Sequence, residues 1–232
     1  MFAYIPARGG SKRIEGKNLR ILGGKPILGH VLENLLKVDL LKGICVSSDD
    51  SLILEYASSY ASVVTLDRRL PALADDNATF ADLIRHDLPR FAQYFGSRDV
   101  LFTLPTCPLV SPLLFSNGVK KYFGRQKDPL GRGLVMSVTK FDYTPFLAFK
   151  EAGDGTLSTL YPDLFDLPSK DIPGGFYDSG CFYLFDLDEA TAVPRLIDLS
   201  PVRGIMLPGN VGIDLDSESD WARLERAFQE RM

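Results

Sequence analysis

A glycine-rich loop with four basic residues is the part of the chain best suited to chemistry. It occupies residues 7–18, directly after the first apolar run, and reads ARGGSKRIEGKN. Its cations are Arg8, Lys12, Arg13 and Lys17. Glycines free backbone N–H groups for close approach, and arginine can bind two oxygens at once, so the loop suits a polyphosphate. The alternative interpretation is a basic turn that meets only solvent.

A pair of carboxylates near the other end of the chain offers complementary chemistry. Asp214 and Asp216 lie two residues apart in NVGIDLD, whose apolar alternation predicts a strand. Side chains at i and i+2 of a strand share a face, and two carboxylates there repel each other unless a cation lies between them. Mg²⁺ bound by carboxylates and substrate phosphates fits this arrangement, although the aspartates could instead cap the following helix. The loop and the pair together predict a site for a nucleoside triphosphate and its metal.

The bulk composition is that of an ordinary globular protein. Of 232 residues, 45% are hydrophobic and 24% are charged, and the formal net charge of −4 gives no reason to expect nucleic acid as a partner. No apolar run is long enough to span a membrane and no secretory signal is recognisable, so we expect a cytoplasmic protein with no membrane partner. Three widely spaced cysteines predict reduced thiols, and the presence of only two histidines disfavours a histidine metal site or a catalytic triad.

The order of predicted elements indicates an α/β fold. Strands are predicted at FAYIPA, GICVSS, SVVTL, VLFTLP, LVMSVTKF, CFYLF and NVGIDLD. Helices are predicted at PILGHVLENLLKV, SLILEYASSY, ATFADLIRHDLPRFAQYF, residues 112–123 and ESDWARLERAFQERM. Alternation of strand and helix predicts a mostly parallel, twisted sheet with helices on both faces, and ligands bind such sheets beyond the carboxyl ends of the strands.

One domain is predicted for residues 1–232, with an insertion at about 140–180. The insertion begins with two strands around Gly153-Asp154-Gly155 and continues with a Pro- and Gly-bearing stretch of no clear period. From the sequence pattern it could be a lid, a dimerisation arm or a small subdomain.

Four segments of the chain resemble the sugar-acid cytidylyltransferases, the family of CMP-N-acylneuraminate synthetases and pseudaminic acid cytidylyltransferases. They are IPARGGSKRIEGKN, GGKPIL, VSSDD and IDLDSESDW. The sequences SKRI, LADDNAT and FYDSGCFY are similar to those of the pseudaminic branch. The resemblance implies a Rossmann-like nucleotidyltransferase fold with a small dimerisation arm at 140–180, and a homodimer. It also implies Mg²⁺ as cofactor and a reaction in which the anomeric hydroxyl of an acidic nine-carbon sugar attacks the α-phosphorus of CTP, giving CMP-sugar and pyrophosphate.

The same resemblance assigns residues to roles. The catalytic residues would be Arg8, Lys17, Asp214 and Asp216, of which the two aspartates bind Mg²⁺. The nucleotide would contact Pro6, Ala7, Arg8, Gly9, Gly10, Ser11, Lys12, Lys17, Asn18, Arg69 and Ala78. The sugar would contact Leu104, Thr106, Tyr177 and Asp178.

Several of these residues have structural alternatives. Arg68 could serve in place of Arg69, and Asn18 could only cap a turn. Asp178 could be a turn carboxylate bonded to backbone amides. Asp49 and Asp50 are predicted to cap the helix that begins near Ser51.

The chain departs from its relatives where the sugar should bind. LPTCPLV places Leu104 and Val110 where the neuraminic branch has Gln and Arg. The arginine that the pseudaminic branch carries before its Asp-Ala-Gly has no counterpart here, although Lys170 could compensate. Ketodeoxyoctonate or another sugar as the acceptor therefore stays open, as does a catalytically inactive nucleotide-binding regulatory protein.

Overall fold

The computed structural model describes residues 1–11, 13–124, 131–213 and 215–231. The strands are β1 (Phe2–Pro6), β2 (Ile21–Leu22), β3 (Lys25–Pro26), β4 (Ile44–Ser48), β5 (Val64–Arg68), β6 (Asp99–Thr103), β7 (Leu134–Lys140), β8 (Phe149–Glu151), β9 (Leu157–Thr159), β10 (Phe176–Asp186) and β11 (Val202–Met206). The α-helices are α1 (Ile27–Leu35), α2 (Ser51–Ser58), α3 (Phe80–Asp82), α4 (Leu88–Phe95), α5 (Pro112–Phe123), α6 (Pro162–Phe165), α7 (Leu187–Ala192) and α8 (Glu218–Gln229). In these segments no helix has the length and apolar character needed to cross a membrane.

A seven-stranded, mostly parallel sheet forms the centre, which confirms the predicted fold class. Its strand order is β11-β7-β10-β6-β1-β4-β5, and only β10 runs antiparallel to its neighbours. The side chains of β1 alternate between two apolar cores, because Ala3 and Ile5 pack in one cluster and Phe2 and Tyr4 in the other. Buried residues of α1, α5 and α8 belong to the first core and those of α4 and α7 to the second, so helices cover both faces.

The helix predicted across Pro89 is present but changes its winding. A capping box between Thr79 and Asp82 starts it, and Gly96 with φ +59° ends it. Between α3 and α4 the residues Leu83–Asp87 form one wide π turn. Proline has no N–H for the usual helical bond, and the wider turn lies directly before it. The turn carries Asp87, whose side chain is buried below the sheet edge that forms the site.

The prediction of a strand at NVGIDLD is wrong for the described residues of that segment. The parallel partner of β7 is β11 (Val202–Met206), whereas Val211 and Gly212 donate their N–H groups to Pro208 in a turn. Val211, Ile213 and Leu215 are nevertheless buried. The alternation in the sequence therefore reflects burial, and it was mistaken for a hydrogen-bonded ladder.

Other local predictions are confirmed. The two strands predicted around Gly153-Asp154-Gly155 are the hairpin β8–β9. Asp50 caps α2 by accepting the N–H of Leu52 at 2.8 Å, and Ser217 and Asp220 form a capping box at α8. The three cysteines are free thiols and buried.

Candidate functional site

A cleft of about 530 Å³ lies beyond the carboxyl ends of β1 and β6, where the sequence predicted a ligand site. Ten residues predicted to act in the site line it: Pro6, Arg8, Ser11, Lys17, Asn18, Arg69, Ala78, Leu104, Thr106 and Asp216. The loop after β1 supplies most of the polar lining, and the segment after β6 supplies Leu104 and Thr106. Chain segments that are far apart in the sequence therefore converge on one cleft.

Three cations of the loop after β1 each contact an oxygen of the protein. Arg8 Nη1 donates to Asp76 Oδ1 at 3.0 Å and to the Asp75 carbonyl at 3.3 Å. Lys17 Nζ donates to the Leu215 carbonyl at 2.6 Å. Arg13 Nη2 lies 2.7 Å from Asp216 Oδ1. The ion pairs of Arg8 with Asp76 and of Arg13 with Asp216 are solvent-exposed and individually weak, so a polyanion can displace them at small cost.

The glycines shape the loop differently from the sequence prediction. The N–H of Gly9 donates to Asp49 Oδ1 at 2.9 Å, so it is not directed at a ligand in this conformation. Gly9 lies outside the cleft lining, as do Gly10 and Ala7, and Ala7 is fully buried. Asn18 binds the loop from within, because its Nδ2 donates to the Arg8 carbonyl at 2.8 Å. In this arrangement the side chains, and not the Gly9 amide, are the groups that face the cleft.

Arg69 is the buried cation of the site. Its residue is only 4% exposed, yet it lines the cleft, whereas the neighbouring Arg68 is exposed and outside the lining. Its Nε donates to Ser47 Oγ at 3.1 Å, and its Nη2 donates to the Ser47 carbonyl. The structure therefore favours Arg69 over Arg68 as the residue available to a ligand.

The residues predicted to bind the sugar divide into two groups. Leu104 and Thr106 line the cleft, but Tyr177 and Asp178 do not. Asp178 accepts hydrogen bonds from the Gly180 N–H at 2.8 Å and from the Tyr183 hydroxyl at 2.7 Å, which matches the turn alternative. Tyr177 packs against Phe141, with ring centroids 4.9 Å apart. Burial and the Asp178 carboxylate raise the pKa of Tyr183, so its hydroxyl stays a donor.

The departures in the sequence are explained in part by burial. Val110 is fully buried in the first apolar core and has no access to a ligand. Lys170 is exposed on the insertion and outside the cleft lining. Among the cations of the described residues, those that line the cleft are Arg8, Arg13, Lys17 and Arg69.

The metal prediction falls partly outside the described residues. Asp214, predicted as a ligand, and Lys12, predicted to contact the nucleotide, are not among them. Among the residues that the structure describes, no cluster of three His, Cys, Asp or Glu side chains could hold a metal ion. The Asp216 carboxylate lines the cleft and is 41% exposed, with Arg13 as its counterion. A single accessible carboxylate suits Mg²⁺, which binds proteins through one or two carboxylates and completes its shell with phosphate and water.

Sequence reasoning missed several residues of the cleft. These are Leu73, Asp75, Asp76, Phe80, Leu83 and Pro105, whereas Arg13 was named as a loop cation without an assigned role. Part of this set lies in LADDNAT or directly after it. The sequence Asp-Asp-Asn there is typical of an Asx turn, and in the structure Asp75 Oδ1 accepts the N–H groups of Asn77 and Ala78, both at 2.8 Å. That turn places Asp76 against Arg8, a contact between residues 68 positions apart for which the sequence carries no local signal.

Known proteins similar to this chain are named as cytidylyltransferases or CMP-sugar synthases, which agrees with a cleft lined by cations. The family model described as cytidylyltransferase matches residues 2–103. The CMP-N,N'-diacetyllegionaminic acid synthase of Legionella pneumophila is 31% identical over 240 residues, which cover 99% of this chain and 96% of that protein. The pseudaminic acid cytidylyltransferase of Campylobacter jejuni is 27% identical over 217 residues, covering 93% of this chain and 90% of that protein.

The fold is shared with a solved structure. The structure of CMP:2-keto-3-deoxy-manno-octonic acid synthetase complexed with CTP superposes with a TM-score of 0.70 at 15% identity. The match covers 100% of this chain and 99% of the other. At that identity the likeness shows a common architecture.

Proposed function

Because the chain belongs to the cytidylyltransferase family, we propose that it transfers the cytidylyl group of CTP to the anomeric hydroxyl of a nonulosonic acid and releases pyrophosphate. The observation that carries the proposal is the convergence of Arg8, Arg13, Lys17 and Arg69 with Asp216 on a single cleft. An acidic chain concentrates cations in one place when its ligand is a polyanion. The nucleotide half of the reaction rests on this convergence and on family membership.

The loop after β1 binds the triphosphate. Arg8 and Lys17 exchange their contacts with Asp76 and with the Leu215 carbonyl for phosphate oxygens. Arginine grips two phosphate oxygens and lysine acts as a point charge, so the two residues orient and neutralise different parts of the chain of phosphates. Phosphoryl-type transfer depends mainly on such positioning and charge stabilisation.

Asp216, together with Asp214, holds Mg²⁺ in this proposal. When bound, the metal neutralises charge on the phosphates and on the leaving pyrophosphate. Arg13 must leave the Asp216 carboxylate before a metal can occupy it, since the two now lie 2.7 Å apart. The released guanidinium remains at the cleft and is available to an anionic group of either substrate.

The remaining lining suits the sugar. It includes the apolar residues Phe80, Leu104 and Pro105 together with Thr106. An apolar surface next to a hydroxyl donor accommodates acyl methyl groups and sugar hydroxyls at once. The names of the two relatives, a diacetyllegionaminic acid synthase and a pseudaminic acid cytidylyltransferase, point to this class of sugar.

The insertion at 140–180 is a dimerisation arm. Within it a set of large apolar side chains is exposed: Tyr143, Leu147, Phe149, Leu157, Leu160, Tyr161, Phe165, Leu167, Phe176 and Tyr177. A monomer rarely leaves such a contiguous set in water, and a second copy of the chain is the partner that we propose. Leu157 and Leu113 are both 65% exposed, but only Leu157 lies on the arm. In sedimentation velocity, Leu157→Lys should shift the protein from dimer to monomer, whereas Leu113→Lys should not. If both variants are equally dimeric, the arm does not form the interface.

Pyrophosphate release tests the reaction. Purified protein is assayed with CTP and Mg²⁺ against sialic, pseudaminic, legionaminic and ketodeoxyoctonic acids. Turnover with one of the first three supports the proposal, and turnover with ketodeoxyoctonate alone contradicts the sugar class. CTP binding without turnover on any of them identifies a binding protein instead.

A matched pair of variants tests the metal carboxylate. Asp216→Asn should lose turnover far more than CTP binding, because the metal acts chiefly on charge that develops in the transition state. Asp188→Asn is the control, since it removes a carboxylate from an exposed ion pair with Arg98, away from the cleft. Wild-type turnover by Asp216→Asn would exclude the metal role of that residue.

A further inference from the structure

A buried polar cluster lies directly behind Arg69, and no predicted role accounts for it. We call it the Ser47 cluster; it consists of Tyr4, Ser47, Asp67, Asp87 and Arg90. Apart from Arg90, each member is at most 6% exposed. Two carboxylates in an apolar core are costly unless they are paired and hydrogen-bonded, so an arrangement of this kind needs an explanation.

Ser47 is the centre of the cluster. Its Oγ lies 2.6 Å from Asp67 Oδ2 and 3.1 Å from Asp87 Oδ2. A hydroxyl has a single proton, and the shorter contact assigns it to Asp67. The Asp87 carboxylate is satisfied by the Tyr4 hydroxyl and by the guanidinium of Arg90, which also donates to Asp67 Oδ2 at 2.8 Å. The hydroxyl oxygen of Ser47 is thereby oriented with its lone pairs free to accept.

Arg69 uses that oxygen. Its Nε donates to Ser47 Oγ at 3.1 Å and its Nη2 donates to the Ser47 carbonyl, so one residue binds two nitrogens along one edge of the guanidinium plane. Nη1 has no partner in the part of the chain that the structure describes, and Arg69 lines the cleft. The remaining edge of the guanidinium is therefore the one offered to a ligand.

From this geometry we infer that Ser47 is a positioning residue, held in orientation by its hydrogen bond to Asp67, which presents Arg69 to the anionic or carbonyl groups of the bound nucleotide. The inference rests on the proposed function, because it takes CTP as the ligand of Arg69. A guanidinium held in one orientation before binding loses less side-chain entropy when the ligand arrives. The two carboxylates balance the charges of Arg69 and Arg90, so the cation can stay nearly buried at the cleft.

Two features of the fold position the residues of this cluster. Ser47 and Asp67 are direct partners in the parallel ladder of β4 and β5, which fixes their spacing. Asp87 ends the π turn Leu83–Asp87, and the wide turn brings its carboxylate to Tyr4 and Ser47. A π turn inside a helix is often found at functional sites.

A double-mutant cycle on CTP affinity separates positioning from a merely structural role. The variants are Ser47→Ala, Arg69→Ala and the combination, titrated with CTP in the presence of Mg²⁺ by isothermal titration calorimetry. We expect Ser47→Ala to weaken CTP binding about tenfold, which corresponds to the loss of one hydrogen bond to a charged group. In the Arg69→Ala background, Ser47→Ala should have no further effect on affinity, since the group that it positions is gone.

Ser137→Ala is the matched control. Ser137 is a fully buried strand serine whose hydroxyl accepts the Phe182 N–H at 3.0 Å and the Ser179 hydroxyl at 2.7 Å, away from Arg69. Its removal should lower the melting temperature without weakening CTP binding. Should Ser47→Ala fail to fold, Ser47→Cys keeps the shape of the side chain and replaces the hydroxyl with a thiol, a poor acceptor, and takes its place in the cycle.

The outcomes are distinguishable. If Arg69→Ala leaves CTP affinity unchanged, the role of Arg69 in the proposed function fails. If Arg69→Ala weakens binding but Ser47→Ala does not, or if the two effects are additive, the positioning role fails and the proposed function stands. Weakening by Ser137→Ala equal to that by Ser47→Ala would also overturn the inference, because it would reduce the effect to general destabilisation.

Discussion

Substitution of Gly9 by alanine tests how the nucleotide loop is attached to the sheet. A Cβ at Gly9 would lie 2.7 Å from both Cβ and Oδ2 of Asp50, whereas a Cβ at Gly10 would meet nothing within 4 Å. Neither glycine has a positive φ, so the difference between the two positions is steric and not a matter of backbone strain. Gly10→Ala is therefore a matched control one residue away.

The contact can be relieved in two ways, and each has a calculable cost. Rotation of the Asp50 side chain alone does not relieve the contact with its Cβ, so the backbone at Asp50 must shift; α2 then loses its N-terminal cap, which costs about 1 kcal/mol. If the loop moves instead, the Gly9 N–H loses Asp49 at 2.9 Å, which also costs about 1 kcal/mol. Gly9→Ala should therefore lower the free energy of unfolding by about 1–2 kcal/mol. Gly10→Ala should raise it by about 0.5 kcal/mol, because alanine reduces the conformational entropy of the unfolded chain.

Thermal denaturation of both variants measures the difference. For a chain of this size a loss of 1–2 kcal/mol lowers Tm by about 2–8 °C. CTP affinity should fall in Gly9→Ala as well, because the displaced loop carries Arg8. A Gly9→Ala protein as stable as Gly10→Ala would refute the reasoning, since it would show that the loop is not packed against Asp50.

Two further predictions concern the carboxylates near α8. Arg13→Ala should raise the affinity of the nucleotide-free protein for Mn²⁺ about twofold to fivefold, because the exposed counterion of Asp216 is removed. Electron paramagnetic resonance measures the affinity, and Arg98→Ala is the control. An unchanged affinity in Arg13→Ala would contradict competition between Arg13 and the metal for Asp216. The hydrogen bond from the Ser217 hydroxyl holds the pKa of Asp220 below its usual 3.8. The capping contribution of Asp220, about 1 kcal/mol, is therefore fully present above pH 3.8 and is lost as the pH falls through the folded-state pKa. The difference in unfolding free energy between wild type and Asp220→Asn should accordingly shrink between pH 7 and pH 3 in urea titrations, and a constant difference would contradict it.

The fold was predictable to the extent that burial shapes the sequence. Strands β1, β4 and β6 are buried on both faces and are continuous apolar runs, which the sequence shows directly. The edge strand β11 is only partly buried and contains Gly204, so it carried no comparable signal. At Val211, Ile213 and Leu215 the alternation was real but arose from a packed turn, because periodicity records which side chains are buried and not which backbone groups pair.

The site was predictable where its residues are close in sequence. Arg8, Lys17 and Asn18 belong to one loop and were identified together. Asp76 was missed, and Arg13 was recognised as a loop cation but given no role, because their contacts with Arg8 and Asp216 join segments that only the fold brings together. At Gly9 the structure adds two constraints that the sequence does not show: Asp50 leaves no room for a Cβ, and the N–H is bonded to Asp49.

The edge of the sheet explains why the cleft and the Ser47 cluster lie together. On one face of the sheet the side chains become polar from one residue to the next but one. On β1 Phe2 is followed by Tyr4, and on β4 Cys45 is followed by Ser47, whose partner on β5 is Asp67. Burial raises the pKa of the Cys45 thiol, with the Asp67 charge as the next contribution, so the boundary between apolar core and charged cluster falls at that step. Parallel strands end at the same edge, and Ser47 and Asp67, each next to last on its strand, therefore meet there without interrupting the core. At this edge Arg69 is nearly buried, whereas Arg8 and Arg13 in the loop after β1 have exposed side chains, so under the proposed function a ligand would meet one buried and two exposed positive groups.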